Sequence, residues 1–394
     1  MAQSLPARPN LEWLRKTAKQ ALAESRKDKP EARLAEAQLA LAREYGFPSW
    51  RVLKAHVDGL VKSTSTVSAP DDAAVAAFLR AARNGEIEAV RTTLDAHPGI
   101  VNLTGPHPHW GGRPQPLHMA IEGGSREIFD LLLARGADIH GDNAGYAHWT
   151  PLMLTIDEYP EMRAELLKRG ARIGLMEALM LGDDALVAEK LKSGRKALPD
   201  YSPNGGSILA FARTPWAIDR LLELGAPIDT RDQWETTPIE AMSRLGKRGQ
   251  PLMRHLLLRG AQARPAEYAR LGDRAVLEKL IDADPAVARI GDVLMGAVNF
   301  GHLDLAEWLI SRGADPNARS TIGAHGTALH SAAWEGNLAM VKILLAAGAD
   351  LRARDEEYDG TPADWARYSH GVSRNPDCLV VADHLDAAAG AADS

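Results

Sequence analysis

Four carboxylates stand beside large aromatic rings in short connecting segments of this 394-residue chain. Asp232 and Glu235 bracket Trp234, and Asp355 and Glu356 come just before Tyr358. Trp110 and Trp149 occupy similar segments, within His107-Pro108-His109-Trp110 and Tyr146-Ala147-His148-Trp149. Carboxylates among aromatic rings are the ingredients of a carbohydrate-type hydrolase site, where two carboxyl groups facing across a cleft divide acid and base roles. That chemistry requires the rings and at least two carboxylates to converge in one cavity. His107 and His109 are candidate metal ligands, but no third ligand follows at a convincing spacing, so no metal is expected. Gly205-Gly206 lacks the Lys-Ser/Thr of a phosphate-binding loop, and no cofactor is expected. Cys378 lies beside Leu379-Val380-Val381 and reads as a core residue, not a nucleophile.

The elements that position these segments repeat. Gly-Ala closes an apolar helical stretch six times, with glycines at 136, 170, 225, 260, 313 and 348. The steps are 34, 55, 35, 53 and 35 residues, and a fixed period in the thirties marks a solenoid. Leucine-rich stretches such as 128–138, 305–315 and 341–350 form the second helix of each unit, and glycine takes the left-handed cap. Thr150-Pro151-Leu152, Thr237-Pro238-Ile239, Thr327-Ala328-Leu329-His330 and Thr361-Pro362-Ala363 open the first helices, with Thr as N-cap. The two long steps each hold a shorter unit, around Gly182 and Gly272, and the stretch around Gly85 resembles both. The array therefore reads as three triplets, each a short unit and two longer ones, plus a closing unit from about 361. The short units are expected to lack a projecting finger.

The organisation follows: a helical module over 1–61, a polar linker over 62–71, the array over 72–388 and a tail over 389–394. Residues 1–62 hold 12 Lys/Arg and 7 Asp/Glu, whereas the whole chain carries a net −6. An acidic array disfavours nucleic acid, leaving the basic module as the place such contact would occur. One cysteine permits no intrachain disulfide and fits a reducing cytoplasm. No apolar run is long enough for a membrane span, and no signal peptide is read at the start. In the module, Trp13, Phe47 and Trp50 are expected to be buried together by three short helices.

Residues 327–350, from Thr-Ala-Leu-His-Ser-Ala-Ala-Trp-Glu-Gly-Asn to Ala349-Asp350, closely resemble an ankyrin repeat. Pro116-Leu117-His118-Met119-Ala120 and its sequel to Asp138 do so too, and the resemblance covers about four-fifths of the chain. The opening segment, up to Gly46-Phe47-Pro48-Ser49-Trp50, is similar to leaders on bacterial ankyrin-repeat proteins. The resemblance implies an all-α solenoid of about nine to ten helix-pair units, some degenerate, behind a small helical module. It also implies that His118 and His330 bond within their repeats and that the connecting segments are finger tips beside a concave face. The expected function is a scaffold holding a protein or peptide there, through His109, Trp110, Tyr146, His148, Trp149, Trp234, His325 and Tyr358. The alternatives are a small-molecule site or hydrolase using Asp232, Glu235, Asp355 and Glu356, and nucleic-acid contact by residues 11–61.

Overall fold

The computed structural model describes residues 17–18, 21–22, 34–45, 47, 50, 52–53, 71–109, 112–142, 145–146, 149–199, 202–321 and 325–392. Two compact units emerge, Met1–Ala137 and Asp138–Ser394. The expected linker falls almost entirely outside the described residues, as does Trp13. Within Met1–Ala137, helix α1 (Leu34–Glu44) precedes a small cluster in which Tyr45, Phe47 and Trp50 pack on Ala42 and Leu53. Two helix pairs follow, α2 (Asp72–Asn84) with α3 (Ile87–Ala96) and α4 (Pro116–Glu122) with α5 (Arg126–Ala134).

Asp138–Ser394 continues the pattern. It contains α6 (Pro151–Thr155) with α7 (Pro160–Lys168), α8 (Leu175–Leu181) with α9 (Asp184–Lys190), and a fifth unit ending in α10 (Pro215–Glu223). Then come α11 (Pro238–Ser243) with α12 (Gln250–Leu258), α13 (Pro265–Leu271) with α14 (Arg274–Ala283), and α15 (Gly291–Asn299) with α16 (Leu303–Ser311). The chain closes with α17 (Ala328–Trp334) and α18 (Leu338–Ala346), then α19 (Pro362–Ser373) and α20 (Asp377–Ala392). In the fifth unit the first helix is only a 3-10 turn, Ile208–Phe211, because Gly205-Gly206 and Pro215 leave little room for more. The last helix runs to Ala392, past the expected end of the array, as its alanine-rich sequence favours.

Local chemistry explains the pairs. Thr150 accepts the Met153 N–H, and Thr361 accepts that of Asp364. At the far end of α5, the Gly136 N–H reaches the Leu133 carbonyl and the Ala137 N–H reaches that of Leu132. This double closure needs a left-handed residue, and Gly136 has φ +84°. The alanine after each such glycine is buried, from Ala137 to Ala349. Each Gly-Ala thus ends one helix and seats the chain on its core.

Packing joins neighbours. The first helices α11, α13, α15, α17 and α19 contact one another in succession. A continuous core runs from Ala269 through Leu294, Leu309, Leu329 and Leu344 to Leu385. Residues Arg259–Arg264 connect α12 to α13 with no finger, and Arg169–Gly174 do the same before α8, as expected of the short units. Elsewhere the fingers brace one another: Asn317 donates to the Gly348 carbonyl and accepts the Asp350 N–H.

Candidate functional site

The residues three places after the N-caps include most of the buried charge. Glu177, Glu240, Glu267, His330 and Asp364 share this register with His118. Glu267 is fully buried, where it accepts the Arg264 N–H at 2.9 Å and the Arg270 Nη1 at 2.6 Å. Glu240 accepts the Thr237 N–H at 2.9 Å. These carboxylates satisfy helix starts that would otherwise be orphaned. The His330 Nδ1 accepts the Thr327 N–H at 3.1 Å, so Nε2 carries the proton and donates to the Gly360 carbonyl, also at 3.1 Å. Burial holds the His330 pKa below the ordinary imidazole value despite the Gly360 bond. His330 therefore ties the finger over 350–360 to α17 and is not a free acid or base.

The four carboxylates proposed for hydrolysis do not converge. Asp232 accepts the Trp234 and Thr236 N–H groups, each at 2.9 Å, and shapes its own turn. Glu235 is exposed with φ +59°, and its carboxylate is 3.9 Å from Arg231 Nε. Glu356 is exposed and 3.8 Å from Arg319 Nε. Asp355 is buried, which by itself raises its pKa. The N–H groups of Tyr358, Gly360 and Glu357 and the Trp365 indole outweigh that and bring it to about 2. None of the four lines the groove described below. A permanent anion held by four donors is a structural clasp, and acid–base chemistry by this set is not what the geometry offers.

The predicted ring and imidazole set is similarly dispersed. Trp110 and His148 lie outside the described residues. His109 is exposed on the loop before α4, next to buried His107, which pairs with Glu122 at 3.0 Å. Trp149 is half-buried against Phe211 and donates to Asn204 Oδ1 at 3.1 Å, while Tyr146 is half-buried in the same finger. His325, with φ +53°, has Nδ1 3.0 Å from the Ser320 carbonyl oxygen, within its own turn. Trp234 is 55% exposed at a finger tip. Among the described residues no group of three or more His, Cys, Asp or Glu side chains is placed to hold a metal ion.

Tyr358 stands apart, because it borders a groove of about 1070 Å³ in Asp138–Ser394. Five successive first helices, α11, α13, α15, α17 and α19, line this groove, with the 357–360 finger at one end. One residue per helix repeats along its wall: Arg244, Arg270, Asn299, Trp334 and Tyr368. The first four each stand two residues before a glycine of positive φ, at 246, 272, 301 and 336. Tyr368 follows its N-cap Thr361 by the same seven residues that separate Trp334 from Thr327. The wall is therefore basic at one end and aromatic at the other.

The aromatic end is a contiguous cluster. Trp334 and Trp365 meet edge to face with centroids 5.9 Å apart, and Trp334 and Tyr368 lie 6.0 Å apart, tilted by 34°. Trp365 donates its indole N–H to Asp355 at 2.9 Å, so the Asp355 clasp also fixes this ring. Trp334, Tyr368 and Tyr358 are 38%, 67% and 72% exposed. Glu335 adjoins the rings. Solvent reaches its side chain, yet the surrounding walls displace enough water to raise its carboxyl pKa, against the pull of Lys247. The column of Trp334 and Tyr368 lies outside the finger residues expected from the sequence. A fixed offset from the N-cap, aromatic in two consecutive units, was the signal available.

Comparison with known proteins agrees with this architecture. Ankyrin repeats in three copies match residues 78–177, and ankyrin repeats in many copies match residues 294–345. The chain is 35% identical over 109 residues to the inactive serine/threonine-protein kinase TEX14 of Mus musculus. It is 37% identical over 110 residues to the protein of the same name from Bos taurus. Each match spans 27% of this chain and only 7% of the relative. The protein is an all-α ankyrin-repeat solenoid, and ankyrin repeats are as a class protein-interaction modules.

Proposed function

We propose that this protein is an interaction scaffold that holds an extended peptide segment of a partner along the groove of α11, α13, α15, α17 and α19. The observation that carries this reading is the open cluster of Trp334, Trp365, Tyr368 and Tyr358. The solvent-facing parts of these rings are left uncovered by the core, and Trp and Tyr supply much of the energy of protein interfaces. At about 1070 Å³ the groove matches or exceeds the usual small-molecule pocket and runs across five repeats, which suits a chain segment better. Trp334, Trp365 and Tyr368 sit on helices α17 and α19, and Trp365 is pinned by Asp355, so little ordering entropy opposes binding.

The test is selection of displayed random peptides on the full chain, then affinity measurement against Trp334→Ala/Tyr368→Ala. The reading expects at least a tenfold loss, about 1.4 kcal/mol or more. Unchanged affinity in that variant, with loss in Trp234→Ala instead, would move binding to the finger tips.

A further inference from the structure

The aromatic end of the groove is acidic as well as flat. The Glu335 carboxylate makes no hydrogen bond or ion pair among the described residues, although Lys247 attracts it from a distance. Glu357 also lines the groove, and its carboxylate raises the pKa of the neighbouring Tyr358 phenol. Asp364 is occupied by Thr361. Glu335 thus lines the same groove as Trp334 and Tyr368 without a hydrogen bond or ion pair to its carboxyl group among the described residues. Ring faces carry negative quadrupole potential, so carboxylate and rings attract the same kind of group.

Resting on the peptide-binding reading above, we propose that the Trp334–Trp365–Tyr368 corner with Glu335 is a pocket for an arginine side chain of the partner peptide. A planar guanidinium can lie on a tryptophan face and still direct N–H groups to a carboxylate in its own plane. An ammonium group is more strongly hydrated and gives up more on leaving water, so lysine is the poorer occupant. The opposite end of the wall presents the exposed Arg244, with Arg270, bonded to Glu267, next along the wall on α13. Charge complementarity then orients the peptide, with arginine at the aromatic corner and an acidic residue toward Arg244. Arg244 and Trp334 are three helix steps apart. At roughly 8–10 Å per step this is about 24–30 Å. An extended chain covers it in roughly seven to nine residues.

The experiment uses the full chain and a phage-displayed random dodecapeptide library. Selected peptides are synthesised with each arginine retained, replaced by lysine, or replaced by citrulline, which keeps the shape and removes the charge. The expected order is arginine, lysine, citrulline, with about a tenfold or greater loss from arginine to citrulline. Glu335→Gln should abolish most of that difference, and Trp334→Phe should weaken the arginine peptide while leaving the fold intact. Equal binding of the arginine and citrulline peptides, with affinity still lost in Trp334→Ala, overturns the arginine pocket and leaves the groove reading standing. Selected peptides that are all indifferent to Trp334→Ala/Tyr368→Ala overturn both.

Discussion

Asp355 is the residue on which the site's geometry depends most. Its buried carboxylate collects three backbone N–H groups and the Trp365 indole. Asp355→Ala leaves those donors without their acceptor and should destabilise the protein by roughly 2–4 kcal/mol, read by denaturant unfolding. The sign of the pH effect follows from its lowered pKa. The folded value of about 2 lies below the unfolded 3.8, so the stabilisation is complete above 3.8 and is lost as pH falls toward 2. His330 also has a lowered pKa, but as a base: the folded state resists its protonation. Its contribution is complete above the unfolded value of 6.5 and declines as pH falls below it. Melting temperatures measured from pH 7.5 to 5 should fall for the wild type and fall less for His330→Gln. At this scale the sequence was a partial guide. The roles of His118 and His330 followed from the repeat motif. The role of Asp355 did not, because a carboxylate in an acidic loop reads as solvated until the loop is seen to fold around it.

Among the elements, the first helices pack so closely that small residues set their spacing. Gly296 on α15 faces α13, and a Cβ there would approach the Ala266 carbonyl oxygen to 2.8 Å and the Ala269 Cβ to 3.1 Å. Gly296→Ala would gain about 1 kcal/mol in helix propensity. A backbone oxygen cannot move aside as a side chain can, so the clash should win. We expect a lower melting temperature and, because Arg270 and Asn299 line the groove on these two helices, weaker peptide binding. A higher melting temperature would show that α13 and α15 can separate without cost. On α18, Leu344 is fully buried in the C-terminal core, and Leu344→Ala should cost about 2–5 kcal/mol in an equilibrium unfolding measurement. Helix existence and order were legible in the sequence, since N-cap Thr, Pro at the first turn and closing Gly-Ala are local signals. The fifth unit was harder, because its first helix is reduced to the turn Ile208–Phe211. The aromatic column was hidden for a different reason: Trp334, Trp365 and Tyr368 lie within helices, where rings usually belong to a core. Only the helix-to-helix register turns them outward together.

For the molecule as a whole, the groove lies entirely within Asp138–Ser394, one of the two compact units. Repeat arrays draw their stability from neighbouring contacts, so this unit should fold without the other. A fragment of residues 138–394 is expected to unfold cooperatively and to bind selected peptides with the affinity of the full chain. A fragment that folds but fails to bind would place part of the site in residues 1–137. The solenoid was readable from the Gly-Ala ladder, its ankyrin character from the resemblance carried by residues 327–350, and the absence of a finger before α8 and α13 from the spacing of the ladder. The central claim is that the aromatic wall of this groove is the binding surface. Calorimetric titration of a selected peptide into the wild type and into Trp334→Ala/Tyr368→Ala tests it most directly. The account predicts at least a tenfold weaker dissociation constant in the variant with an unchanged melting temperature, and equal affinities in two equally folded proteins would contradict it.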